Sequence, residues 1–250
     1  MAQHNERLWL VLPSRLPRPA WLPDELYHAG RENLDAGHVA HYDEKEDANA
    51  AEEVALLREL GLGPRSHVVE IGAGTGQFSV TVAPTCERVV AVDVSPLMLD
   101  ALRDKVAALG LSNVEVVQAG FLTYEHAGPP ADVVYSRLAL HHIPDVWKAL
   151  ALARVRRVLR PGGVLRLVDV VYDFEPDEAH ARLEAWCAAY GPGGEGQWGR
   201  ADVEEHIRDE HSTFTWLLEA MIDRSGFAIE RAEHSEDGVF AAYVLRAPST

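Results

Sequence analysis

Cysteine is scarce in this chain: Cys86 and Cys187 are the two present among 250 residues. Their spacing fits neither a disulfide framework nor a cysteine metal motif. A reducing compartment is therefore expected, the cytoplasm in particular, and no metal is expected. Lysine is nearly as rare, with Lys45, Lys105 and Lys148 alone, and the net charge is −16. A protein that neutralises phosphates needs clustered cations, so nucleic acid is excluded as a partner. Arginines gather only at Arg154, Arg156, Arg157 and Arg160, where they complement the C-terminal dipole of a predicted helix. Long apolar runs are missing too. Trp9 to Leu12 is stopped by Pro13, too short for a signal sequence or a membrane span, so no membrane partner is expected.

What is present suits one α/β domain: 250 residues, 47% hydrophobic and 25% charged. Pro13, Pro17, Pro19 and Pro23 interrupt any regular element near the start, while Trp9, Trp21 and Tyr27 provide something to pack. Residues 1–45 are thus expected to form an arm laid on a body of residues 46–250. Glu46 to Leu60 reads as a helix, with Ala50, Val54, Leu57 and Leu60 on one stripe and Gly61 as a stop.

Strands and helices then alternate. Strands are predicted at His67–Ile71, Arg88–Val92, Val114–Gln118, Asp132–Ser136 and Val164–Val171. Helices are predicted at Gly76–Ala83, after the Ser95 cap with Pro96 at its first position and Met98, Leu102 and Leu109 on one face, and at Asp145–Leu159, broken by Pro161-Gly162-Gly163. Nearly continuous apolar strands between helices imply a parallel sheet covered on both faces. Beyond Val171 come a helix over Asp177–Tyr190, a glycine-rich loop to Gly199, a shorter helix, and one capped by Ser212 with Phe214, Leu217, Leu218 and Met221 inside. Two strands, Ala228–Glu233 and Val239–Leu245, close the chain around an Asp237-Gly238 turn.

The segment richest in chemistry reads Val-Val-Glu-Ile-Gly-Ala-Gly-Thr-Gly-Gln-Phe, residues 68–78. Gly72, Gly74 and Gly76 let the backbone turn and approach a ligand where a Cβ would collide with it. The spacing is not that of a dinucleotide site, because Gln77 stands where the third dinucleotide glycine belongs. Glu70 would repel a pyrophosphate and suits a cationic, amino-acid-bearing ligand. Asp93 ends the second strand, where an acidic side chain accepts both hydroxyls of a ribose.

This E-x-G-x-G-x-G turn, with Asp93, Leu-His-His-Ile-Pro-Asp at 140–145 and Arg-Pro-Gly-Gly at 160–163, resembles the class I S-adenosylmethionine-dependent methyltransferases of small molecules, from about Val39 to Leu245. The resemblance implies a three-layer α/β/α Rossmann-like seven-stranded sheet with the last strand antiparallel. It also implies a helical insertion at about 173–224 capping the substrate, and S-adenosyl-L-methionine as cofactor. Cofactor contacts are implied for Glu70, Gly72, Ala73, Gly74, Gly76, Asp93, Val94, Met98 and Ser136. Many such enzymes carry an Asp after the third strand that binds the adenine amino group. Here Gln118-Ala119-Gly120-Phe121 stands there, leaving Gly120 and the Phe121 ring to substitute.

In the resembling enzymes the segment after strand four lies beside the sulfonium. His142 falls there and is the candidate base, with an imidazole pKa near ~6.5, or else a cap for the next helix. Tyr42 is the candidate to close the arm over the cofactor, or a residue packing that arm. Substrate contacts are assigned to His141, Asp169, Tyr172, Trp186, Tyr190, Trp198, His211 and Phe214. The expected activity is methyl transfer to a small molecule, natural-product intermediates being among the candidates. Two rivals remain open: the same fold recruited to an elimination or cyclisation, and a non-catalytic binding partner.

Overall fold

A computed structural model describes residues 19–30, 33–46, 48–194 and 197–249. Trp9 and the rest of the arm before Pro19 lie outside them. Two short helices, α1 (Ala36–Ala40) and α2 (Tyr42–Lys45), lead into α3 (Ala50–Glu59). Asp35 starts α1 by accepting from the Gly37 and His38 amides. Helix α3 begins later than the apolar periodicity suggests, because Glu46 is extended and Asn49 takes a left-handed conformation (φ 47°) at its N-cap. Val54 and Leu57 are buried as the stripe requires.

Strand β1 (His67–Ile71) turns into α4 (Gln77–Val82), β2 (Arg88–Asp93) into α5 (Pro96–Ala108), and β3 (Val114–Gln118) follows. Ser95 caps α5 by accepting from the Met98 amide, with Pro96 in the first turn. Leu109 departs from expectation: it is 60% exposed, since the helix has ended at Ala108. Next come β4 (Ala131–Arg137), α6 (Asp145–Val158) and β5 (Leu159–Tyr172). Helix α6 ends at Val158, as the break at Pro161-Gly162-Gly163 predicts, but those three residues form an irregularity at the start of β5 and not a linker before it. Leu159 pairs with Ala131 and Val164 with Val133, and Gly162 has a φ of 70°. Proline without an N–H and a glycine at positive φ make a bulge at the strand's start.

Helices α7 (Ala179–Ala188) and α8 (Arg200–Asp209) precede β6 (Thr213–Phe214), α9 (Thr215–Arg224), β7 (Ala228–His234) and β8 (Phe240–Arg246). Ser212 does not cap α9. Thr213 and Phe214 pair with Val171 and Tyr172, and Phe214 takes the N-cap position. Within α9 the buried residues are Thr215, Leu218 and Ile222.

The sheet runs β3-β2-β1-β4-β5-β8-β7, with β6 added beside β5. Strands β1 to β5 are mutually parallel, and β8 is antiparallel to both neighbours. Adjacent residues alternate between two apolar layers. Val69, Val90, Val134 and Leu165 join Leu152, Val155, Leu218 and Ile222 of α6 and α9. Val68, Val89, Val133 and Val164 join Leu57, Phe78 and Val82 of α3 and α4. The carboxyl ends of β1 and β4 are neighbours while their following helices take opposite faces, which opens a crevice there. Among the described residues, no helix is long and apolar enough to cross a membrane.

Candidate functional site

The crevice is lined first by the loop after β1. Gly72 and Ala73 both donate to the Val92 carbonyl, at 2.9 and 3.0 Å, which wraps the loop over the end of β2. Gly72, Gly74 and Gly76 all have positive φ (80°, 52° and 84°). Their surroundings differ. A Cβ on Gly72 would lie 2.3 Å from the Ala139 methyl, and one on Gly76 2.0 Å from Leu102, so these two are glycines for packing. A Cβ on Gly74 would meet only the Tyr42 ring, at 3.8 Å, and this position faces the cleft.

Asp93 accepts from the Gly74 and Ser95 amides, both at 2.8 Å, and burial raises its pKa. Glu70 is buried, accepts from the Ser79 hydroxyl, and is pushed up to about 8 by burial, with the Asp93 charge adding to the shift. Val94, Gly120 and Phe121 line the far end of the cleft, and Glu70 and Ala73 border its continuation beside Tyr42. Three expected cofactor residues stand apart from it. Gly76 is the N-cap of α4, Met98 is fully buried on α5, and Ser136 is fully buried with no hydrogen-bond partner for its hydroxyl.

Sequence reasoning missed Glu25. Its carboxylate accepts from the Leu122 amide (3.0 Å) and the Thr123 hydroxyl (2.9 Å), and lines the cleft. It stands so close to Gly120 that a Cβ there would lie 2.4 Å from it. An acidic group thus reaches the end of β3 from the arm, where the chain's own strand end lacks one. No local signal could have announced this, because the contact spans 97 residues of sequence. The arm leaves the cleft narrow, about 60 Å³.

A larger cavity of about 410 Å³ adjoins the cleft. Tyr42, Asn33, Arg137, Leu138 and His142 line both. Leu138 has a φ of 48°, a strained conformation for a branched side chain, of the kind that collects at functional sites. Trp186, Tyr190 and Trp198 line the larger cavity, and Trp198 donates to Glu46 while Lys45 sits 3.9 Å from its ring centre. His211, Phe214, Tyr172 and Asp169 do not line it. Tyr172 and Phe214 pack with Phe174 in an apolar cluster behind it. His211 turns its ring toward His28.

Asp169 lies behind His141. It accepts from the ring Nδ1 and from the Leu140 and Val170 amides, both at 2.8 Å. Burial alone would lower the His141 pKa, but the Asp169 charge and hydrogen bond, with Glu210 beyond, raise it to about 10. His142 differs from expectation: burial and the charge of His141 lower it to about 3, so it is a neutral imidazole and a weak base. His206 and Glu210, both missed, complete the wall. Glu210 Oε2 lies 3.0 Å from His141 Nε2, 2.6 Å from His206 Nδ1 and 3.9 Å from His142 Nδ1. Burial would raise Glu210, but the His141 and His206 imidazoles hold it well below the carboxylate range. The i,i+4 spacing of His206 and Glu210 was visible; their meeting with His141 was not.

A parallel sheet with one antiparallel strand, a glycine-rich turn, and an acid at the end of β2 are the features of a Rossmann-like fold. Residues 68–163 match the methyltransferase domain family. An uncharacterized methyltransferase, YrrT, of Bacillus subtilis (strain 168) is 25% identical over 182 residues, 73% of this chain and 77% of that one. An O-methyltransferase of Pyrenophora dematioidea is 28% identical over 152 residues, 54% of each. The N-methyltransferase NodS of Bradyrhizobium japonicum WM9, solved with S-adenosyl-L-homocysteine, has the same fold at a TM-score of 0.60 and 17% identity, covering 90% of this chain and 100% of that one. Residues 68–163, which carry the glycine turn and Asp93, are thus similar to the methyltransferase domain family, and the chain shares its fold with S-adenosylmethionine-dependent methyltransferases. The residues on the cleft fit S-adenosylmethionine: an open glycine, a carboxylate at the end of β2 and a second acid near Gly120.

Proposed function

We propose that the protein methylates a small molecule seated in the 410 Å³ cavity, using S-adenosylmethionine held in the adjoining cleft. The observation that carries this reading is the shared wall: Tyr42, Arg137, Leu138 and His142 border both spaces. When bound, the cofactor supplies an already activated methyl group, so alignment of the acceptor provides most of the acceleration. Asp93 is the ribose partner, Glu25 the acceptor for the adenine amino group, and Phe121 the ring against the base. Tyr42 closes the arm over the cleft. The neutral His142 orients the acceptor's reacting atom by a hydrogen bond. Trp186, Tyr190, Trp198 and Phe240 favour a flat, largely apolar acceptor. Helices α7 and α8 form its cap.

Calorimetry with S-adenosylmethionine, followed by a labelled-methyl screen over amines, phenols and indoles, tests the proposal. Binding with turnover is expected. Binding without turnover on any acceptor would favour a non-catalytic binding protein, and no binding would favour a recruited enzyme.

A further inference from the structure

The buried group at the inner wall of the large cavity has donors that methyl transfer does not use. Glu210 Oε2 is surrounded by three imidazole nitrogens, at 2.6, 3.0 and 3.9 Å. Despite this proximity, both Glu210 Oε2 and His142 Nδ1 are buried without a hydrogen-bond partner. Short separations without hydrogen-bond alignment mean that the donors do not aim at one another. One donor atom each from His141, His206 and Glu210 lies within 4.8 Å of the others. An ion bonded at about 2.0–2.2 Å in tetrahedral geometry keeps its ligands about 3.3–3.6 Å apart, within the range spanned here.

We propose that His141 Nε2, His206 Nδ1 and the Glu210 carboxylate bind a divalent transition-metal ion of the zinc class, with its fourth position open to the large cavity and the Nε2 proton of His141 released to solvent as the ion binds. Two imidazoles and a carboxylate are a donor set that zinc takes when one position is left for water or substrate. The outer contacts suit the same role. His141 Nδ1 is bonded to Asp169, and His206 Nε2 lies 2.9 Å from the Ser212 hydroxyl. Each ring is thus held from its far side, the arrangement that fixes a ligating histidine's tautomer and direction. Asp169 and Glu210 together supply two negative charges against two of the ion. A water or acceptor hydroxyl in the fourth position would donate to His142 Nδ1, the buried atom that lacks a partner. The ion would also tie α8 of the cap to the loop after β4. Its substrate-side ligand would be the oxygen or nitrogen of the acceptor.

The test uses the full chain, stripped with chelator, titrated with zinc chloride by calorimetry and assayed by elemental analysis. About one zinc per chain is expected, with a higher melting temperature. Affinity should fall by about a hundredfold or more in His206→Ala and Glu210→Gln, and by about ten- to a hundredfold in Asp169→Asn. The surface variant His180→Ala should bind as the wild type does. Cobalt(II) should give the intense visible bands of a four- or five-coordinate ion. Because the cluster is buried, a variant that fails to fold is replaced by X-ray absorption on zinc-loaded wild type, where two imidazoles and a carboxylate are expected. Absence of stoichiometric binding, binding indifferent to His206 and Glu210, or a coordination shell without two imidazoles would overturn the proposal. None of these readouts involves methyl transfer, so they stand apart from the outcome of the acceptor screen.

Discussion

The Gly74 amide donates to the Asp93 carboxylate at 2.8 Å, joining the glycine loop after β1 to the end of β2. One carboxylate therefore shapes the loop and faces the cleft. Asp93→Ala should weaken S-adenosylhomocysteine binding by about 1–3 kcal/mol, the cost of losing a charged acceptor at a buried site. Calorimetry on the folded variant checks this, and an unchanged affinity would mean the ribose sits elsewhere.

Gly74 itself is open on its cleft side but has a φ of 52°. Gly74→Val should abolish cofactor binding, since a branched side chain both opposes that backbone and fills the approach. Normal binding by this variant would show that the glycine loop is not the cofactor contact.

Glu25 offers a cleaner discrimination. Glu25→Gln should weaken S-adenosylhomocysteine by about 1.5–3 kcal/mol, the range for a hydrogen bond to a charged group. The inosine analogue, which has no exocyclic amine, should bind both proteins alike. A variant that weakens both ligands equally would reduce Glu25 to a strut between the arm and Leu122.

Glu70 sets a pH dependence. Its pKa is about 8 in the fold against an ordinary value of 4.5. The folded state then holds its proton where the unfolded state has released it. That contribution to stability is fully present below about pH 4.5 and is lost as the pH rises through about 8. The cofactor-free protein should lose melting temperature across this window, and Glu70→Gln should flatten the slope. Parallel slopes for the two proteins would mean that Glu70 is ionised in the fold.

Trp198 lines the acceptor cavity and donates to Glu46 at the edge of the cleft. Trp198→Ala should raise the KM for acceptor by about tenfold, equivalent to about 1.4 kcal/mol, with cofactor affinity retained. A loss of cofactor affinity with an unchanged acceptor KM would remove Trp198 from the substrate wall.

The parts written locally in the chain are legible from the order of residues alone. The glycine turn, Asp93, the Ser95 cap and the alternating valines of β1 and β2 each depend on neighbours a few residues away, through backbone conformation and periodicity. They determined the parallel sheet and the glycine-lined crevice at its carboxyl edge. The tertiary structure decided what depends on distant segments. Glu25 reaches the end of β3 from the arm, where the residues immediately following the strand carry no acid of their own. Met98 and Ser136 have the right neighbours in sequence, yet packing turns both into the interior. His142 has an ordinary imidazole in its sequence context, and only its burial beside His141 lowers its pKa. His141, His206 and Glu210 meet because α8 folds back over the loop after β4. Propensity and spacing are short-range properties, whereas burial, pKa and the convergence of side chains are set by which elements pack together.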